Sequence, residues 1–143
     1  MSKIFDMETV MSFREISAWV MGLVMLATGL SYAKAAFGAG APPIAAFAPY
    51  FALVIVATII AQIVLASLMP KAADAPADER ERLMLERASH WSGWVLSAGV
   101  VVSLGYFLAH EEGDLLFHMV LMSLIVSSVV EYALQAVLLR WGR

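Results

Sequence analysis

Glu131 is the only Asp, Glu, Lys or Arg between Leu115 and Leu139, in a run otherwise made mostly of apolar and small hydroxyl residues. Placing an ionisable side chain in such a span costs roughly 2.5–3.5 kcal/mol on insertion scales, so it needs polar partners or a task. Ser123, Ser127, Glu131 and Gln135 follow one another at intervals of four, which winds them slowly round one helical face. Counting from the inner helix ends brings Gln62 and Thr58 of a second apolar run and Ser97 of a third to a similar depth, with Thr28 of the first somewhat deeper. A buried polar cluster of Glu131, Gln135, Ser127, Gln62, Thr58 and Ser97 is therefore expected. Such a cluster can keep helices in register, or it can hold a proton or cation on a transport path. Register-keeping is the stronger expectation, because no second acid and no basic partner is expected at that depth.

A second group of chemically capable residues lies in the turn His110-Glu111-Glu112-Gly113-Asp114 and at His118. Imidazoles and carboxylates bind divalent metals, which makes His110, Glu111, Asp114 and His118 candidate ligands. Solvated acidic turns are far commoner, so a plain turn is the stronger expectation. His90 and His110 sit at opposite ends of one run, about 30 Å apart at the helical rise, too far to ligate one haem axially. The chain has no Cys, which removes disulfides, thiolate metal sites and thiol relays. No Ser/His/Asp arrangement and no glycine-rich phosphate loop is present, so neither a cofactor nor an enzymatic activity is expected.

The elements that must position these residues are four apolar stretches. No Asp, Glu, Lys or Arg occurs from Ile16 to Ala33, from Ala35 to Pro70 or from Ala88 to His110, and the fourth stretch is the one holding Glu131. Each can cross a bilayer, which takes about 20 predominantly apolar residues. The composition agrees: 62% of the 143 residues are hydrophobic and the mean hydropathy is +0.81, against roughly 45–50% apolar residues in soluble domains. The reading is an all-α polytopic membrane protein of four transmembrane helices in two antiparallel hairpins. The spans are placed at about residues 16–37, 46–69, 88–109 and 115–139, with a partly helical inner loop at 70–87. No length remains for a soluble domain.

With the N-terminus inside, Lys3, Arg14, Lys71, Arg80, Arg82, Arg87, Arg140 and Arg143 lie on the inner side and only Lys34 outside. That bias places both termini in the cytoplasm. Trp19, Trp91, Trp94 and Trp141 fall at inner ends and Tyr32, Tyr50 and Tyr106 at outer ends, as two interfacial belts would require. Asp6, Glu8 and Glu15 before the first span, and its length, argue against a cleaved signal peptide despite Ala33-Lys34-Ala35. The net charge of −3 has no Lys/Arg cluster, so nucleic acid is not expected as a partner.

Several local signals refine this picture. Asp78 and Glu81 have N-cap and N3 spacing, so the third helix is expected to start near Asp78 and project about two turns beyond the membrane. Its bland role is a solvated tether between the hairpins. Its functional role is a docking surface for a cytoplasmic partner built from Arg80, Glu81, Leu83, Met84 and Arg87. Glycines and serines four apart, such as Gly93 with Ser97 and Gly99 with Ser103, mark close helix contacts and predict that the third helix is the most enclosed. Matches at a spacing of 73, including Gln62 with Gln135 and Leu65 with Leu138, suggest a duplicated hairpin. Ile4, Met7 and Met11 have helical spacing that would let the first residues lie along the inner surface.

Met11-Ser12-Phe13-Arg14-Glu15-Ile16-Ser17-Ala18-Trp19 and Asp78-Glu79-Arg80-Glu81-Arg82 resemble motifs of a group of uncharacterised small bacterial membrane proteins. The stretch from Val130 to Leu138 looks like the last helix of that group. The resemblance implies four helices in a bacterial cytoplasmic (inner) membrane, and it implies no catalytic residue. Small multidrug exporters are of similar size, but they place an essential Glu in the first helix, where the first apolar run here has none. The expectation is a structural or accessory membrane protein that meets lipid, another protein or a second copy of itself. The alternative is a small proton-coupled or ion transporter using Glu131.

Overall fold

The computed structural model describes residues 11–38 and 47–141. They form five α-helices: α1 (Phe13–Gly38), α2 (Phe47–Leu68), the single turn α3 (Pro70–Ala73), α4 (Glu79–His110) and α5 (Gly113–Trp141). Four of them, α1, α2, α4 and α5, are long and apolar enough to cross a membrane. The chain is an all-α, multi-pass membrane protein. The expectations for residues 1–10, for the start of the second span at 46 and for Arg143 lie outside the described residues.

The helix ends follow from local chemistry. Ser12 accepts from the backbone N–H of Glu15 (3.2 Å), satisfying an orphan donor of the first turn of α1. Asp78 caps α4 in a full capping box, accepting from Glu79 N (2.8 Å) while Glu81 Oε2 accepts from Asp78 N (3.4 Å). Pro70 ends α2 by opening α3, whose first position suits a residue without an N–H. At the outer turn Glu111 adopts a left-handed conformation (φ 55°) and donates its N–H to Phe107 O (2.7 Å), so α5 turns back within a few residues.

α5 packs along α4 on one side and α1 on the other, and α2 packs on α1. The order is therefore α2, α1, α5, α4, with α1 and α5 central. The enclosed third helix expected from its glycines is not found. Only Ala88, Ser92 and Ser103 of α4 are buried, whereas α1 buries six residues. Three glycines do mark close approaches: a Cβ on Gly22 would lie 3.3 Å from Tyr132 Cβ, one on Gly29 2.5 Å from Ile125 Cγ2, and one on Gly99 2.6 Å from Ser123 Cβ. Gly93 and Gly105 face open space. The two hairpins contribute non-equivalent helices to the centre, the first of one and the second of the other, so a duplication is not expressed in the packing.

At 1.5 Å per residue α4 is about 48 Å long and α5 about 43 Å, both longer than a hydrocarbon core of roughly 30 Å. The surplus lies at the end where Met11 and Trp141 sit, the inner face in the expected threading. Arg14 joins the elements there: its Nε donates to Glu81 Oε2 (3.2 Å) and its Nη2 to the Ala75 carbonyl (3.0 Å).

Candidate functional site: a polar recess among the four long helices

Glu131 opens onto a recess of about 550 Å³ to which all four long helices contribute. α1 supplies Arg14 and Ser17, and α2 supplies Gln62. α4 supplies Glu86 and Ser89, and α5 supplies Glu131 and Gln135. Phe13 and Leu85 are its apolar members. α2 and α4 do not pack extensively on each other, so the side between them is where the recess opens.

The polar partners inside are loosely engaged. Glu131 Oε2 accepts from Ser92 Oγ at 3.4 Å and Oε1 from Gln135 Nε2 at 3.3 Å, both long for hydrogen bonds to a carboxylate. A carboxylate offers about four acceptor positions, so these contacts leave capacity toward the cavity. Gln62 Nε2 donates to Ser17 Oγ at 3.0 Å, which ties α2 to α1 across the recess floor.

The bond to Ser92 also fixes the height of Glu131. Trp91 and Trp94 flank Ser92 in sequence and are 61% and 63% exposed, and exposed tryptophans of a membrane helix stand at the headgroup level. Glu131 is therefore level with Trp91 and Trp94 of α4.

The residues of the expected cluster are placed as follows, the first three half-buried. Glu131, Gln135 and Gln62 share the recess, and Ser127 is buried but donates to the Leu124 carbonyl (3.0 Å). Thr58 donates to its own helix at Val54 and Ile55, and Ser97, exposed, to Gly93. Ser92 takes the place expected of Ser97, because the face of α4 turned to α5 runs through Ala88, Ser92, Gly99 and Ser103. Arg14 and Glu86 also line the recess, nearer the N-terminal ends of α1 and α4 than Ser92, which Glu131 contacts.

Glu15, placed outside the first span by its charge, belongs to α1 and is fully buried at 0% exposure. The Ser12-x-x-Glu15 spacing was the available signal, since it marks a helix start three residues earlier than the apolar run.

The candidate metal ligands do not converge. His110 is exposed, stacked on Tyr106 with ring centroids 4.0 Å apart, and its Nδ1 contacts the Tyr106 carbonyl (3.1 Å). Glu111 and Asp114 are exposed. His118 is 1% exposed, hydrogen-bonded through Nδ1 to the hydroxyl of Tyr32, itself 2% exposed, and ringed by Phe37 and Phe117. Among the described residues no group of three or more His, Cys, Asp or Glu is placed to hold a metal ion. Tyr32 is accordingly a core residue and not part of an outer belt.

Between the two polar regions lies a mostly apolar layer. A smaller cavity of about 160 Å³ there is lined by apolar residues such as Met25, Val54, Leu121, Leu124 and Ile125 and also by Thr28, Tyr32, Tyr50 and Ser128.

On the projecting part of α4, Glu81 is held by Arg14, and Met84 lines a crevice with Ser12 and Leu139. Arg80, Leu83 and Arg87 remain exposed on one face. Of the five expected docking residues, Glu81 is engaged by Arg14 and Met84 is half-buried, whereas Arg80, at the edge of the same crevice, Leu83 and Arg87 are exposed.

No protein-family model matches the chain, and no curated protein and no solved structure does either.

Proposed function

We propose that the protein is a non-enzymatic accessory component of a bacterial cytoplasmic membrane, with both termini in the cytoplasm, that binds a partner at its inner face. The observation that carries this reading is the height of Glu131. The acid is level with Ser92 and the exposed Trp91 and Trp94, and the cavity beyond it toward Tyr32 is lined mostly by apolar residues. A coupling acid on a transport path is reached from both sides in turn, and it gains its effect near the membrane midplane. The exposed Arg80, Leu83 and Arg87 supply a face on which a cytoplasmic protein can dock.

Purification in a mild detergent is expected to recover a stoichiometric partner, and the triple substitution Arg80→Ala, Leu83→Ala, Arg87→Ala is expected to release it. Reconstitution into liposomes with an internal pH-sensitive dye is expected to show no proton flux above empty vesicles. A flux abolished by Glu131→Gln would replace this reading with the transporter.

A further inference from the structure

The side of α4 turned away from α5 carries its charges in an order that complements itself. α4 lies at the edge of the bundle: it packs along α5, and its buried residues are Ala88, Ser92 and Ser103. At about 100° per residue, the line opposite those three runs through Leu83, His90, Trp94, Val101 and Leu108, all exposed. Glu79 and Glu86 stand along one edge of that line and Arg80 and Arg87 along the other, each within about 60° of it. All four are exposed, and among the described residues none of them makes an ion pair. The nearest competing cations are Arg82, which lies beyond the acidic edge, and Arg14, which is engaged by Glu81.

Two copies inserted the same way in a bilayer form a closed pair about a twofold axis along the membrane normal. Their α4 helices run parallel, and each edge of one meets the opposite edge of the other, so acids face arginines on both sides. Glu79 is level with Arg80, and Glu86 with Arg87, to about 1.5 Å of rise. The pairs therefore form without an axial shift, and Leu83 meets its counterpart between them. A foreign protein has no need of a face whose charges match themselves, whereas a twofold pair requires it. Inside the membrane, lipid competes with helix contacts on nearly equal terms, which leaves the choice of partner to the projecting segment. We propose that the chain forms a parallel homodimer through α4, with Glu79 and Glu86 of each copy against Arg80 and Arg87 of the other. This inference rests on reading the exposed part of α4 as a docking face, and it names the occupant.

The full chain in mild detergent is expected to sediment at twice the 15.5 kDa of one copy, and less stably so at about 1 M salt, where the screening length is roughly 3 Å. Glu79→Arg with Glu86→Arg makes the face wholly basic, and Arg80→Glu with Arg87→Glu makes it wholly acidic. Each double variant alone is expected to dissociate about tenfold more readily or beyond, with its circular dichroism spectrum unchanged. An equal mixture of the two is expected to recover a heterodimer. Glu86→Arg and Arg87→Glu as single substitutions, mixed in the same way, serve if a double variant does not fold. A monomeric wild-type chain, a dimer indifferent to both reversals, or a mixture that stays monomeric overturns the proposal. A different protein recovered in equal amount with a monomeric chain also overturns it, and leaves the docking reading standing. Proton flux dependent on Glu131 removes the accessory reading whatever the mass, so the two failures are distinguishable.

Discussion

The two polar regions of this molecule solve the same difficulty in opposite ways. At the outer end, Tyr32 and His118 come from different helices, are almost wholly buried, and satisfy one another inside a wall of aromatic rings. At the inner end, Glu131 makes two long contacts and borders a cavity. A polar pair closed off from solvent and lipid holds helices together, because breaking it leaves an unmet donor or acceptor in a medium that cannot replace it. A polar group with remaining capacity beside an open volume contributes little to stability and is available to a ligand. The contrast separates what keeps the fold from what the fold presents.

His118→Ala should break the comparison most severely, since it leaves the Tyr32 hydroxyl buried without its partner and opens a void between α1 and α5. The expected loss is about 3 kcal/mol, from a desolvated polar group and a cavity together, measured as reversible unfolding in mixed micelles. A loss comparable to that of an exposed substitution would show that the pair does not hold the helices.

A smaller effect is expected at the glycines. Gly99→Ala forces a methyl against Ser123 on the α4 and α5 seam and should cost about 1–3 kcal/mol through overpacking. Gly93→Ala, two turns away in open space, should be neutral or slightly stabilising through helix propensity. Equal melting temperatures for the two variants would contradict the packing order.

Only a small loss of stability is expected for Glu131→Gln, at about 0.6 kcal/mol or less, the scale of an average side-chain hydrogen bond within a membrane. A thermal melt as damaged as that of His118→Ala would make Glu131 a structural residue and remove the contrast.

Much of the fold was legible in the sequence because the bilayer imposes a coarse rule that charge placement obeys. The four spans, the short outer turn and the Asp78 start of α4 follow from apolar run length, turn length and capping chemistry. The rotational phase of each helix was not legible. Gly93 with Ser97 and Gly99 with Ser103 have the same spacing on different faces of α4, and only the position of α5 decides which pair is covered. The site was half legible for a related reason. Glu131, Gln62 and Gln135 stand out as polar residues in apolar runs, whereas Arg14, Ser17 and Glu86 sit at run edges, where charge is ordinary. Their shared recess depends on helices that extend past the membrane surface, a length that hydropathy does not register. Tyr32 and His118, separated by 86 positions, meet only because α1 and α5 are neighbours.

The surplus length of α4 has one more consequence. From Ser92, at the tryptophan layer, to Arg80 is twelve residues, or about 18 Å of rise, and the neighbouring end of α5 stiffens that segment through Ala88, Ala136 and Leu139. The helix is a standoff of fixed height. A protein gripping Arg80 and Leu83 would do so about 14–18 Å from the level of Ser92, in register with this helix.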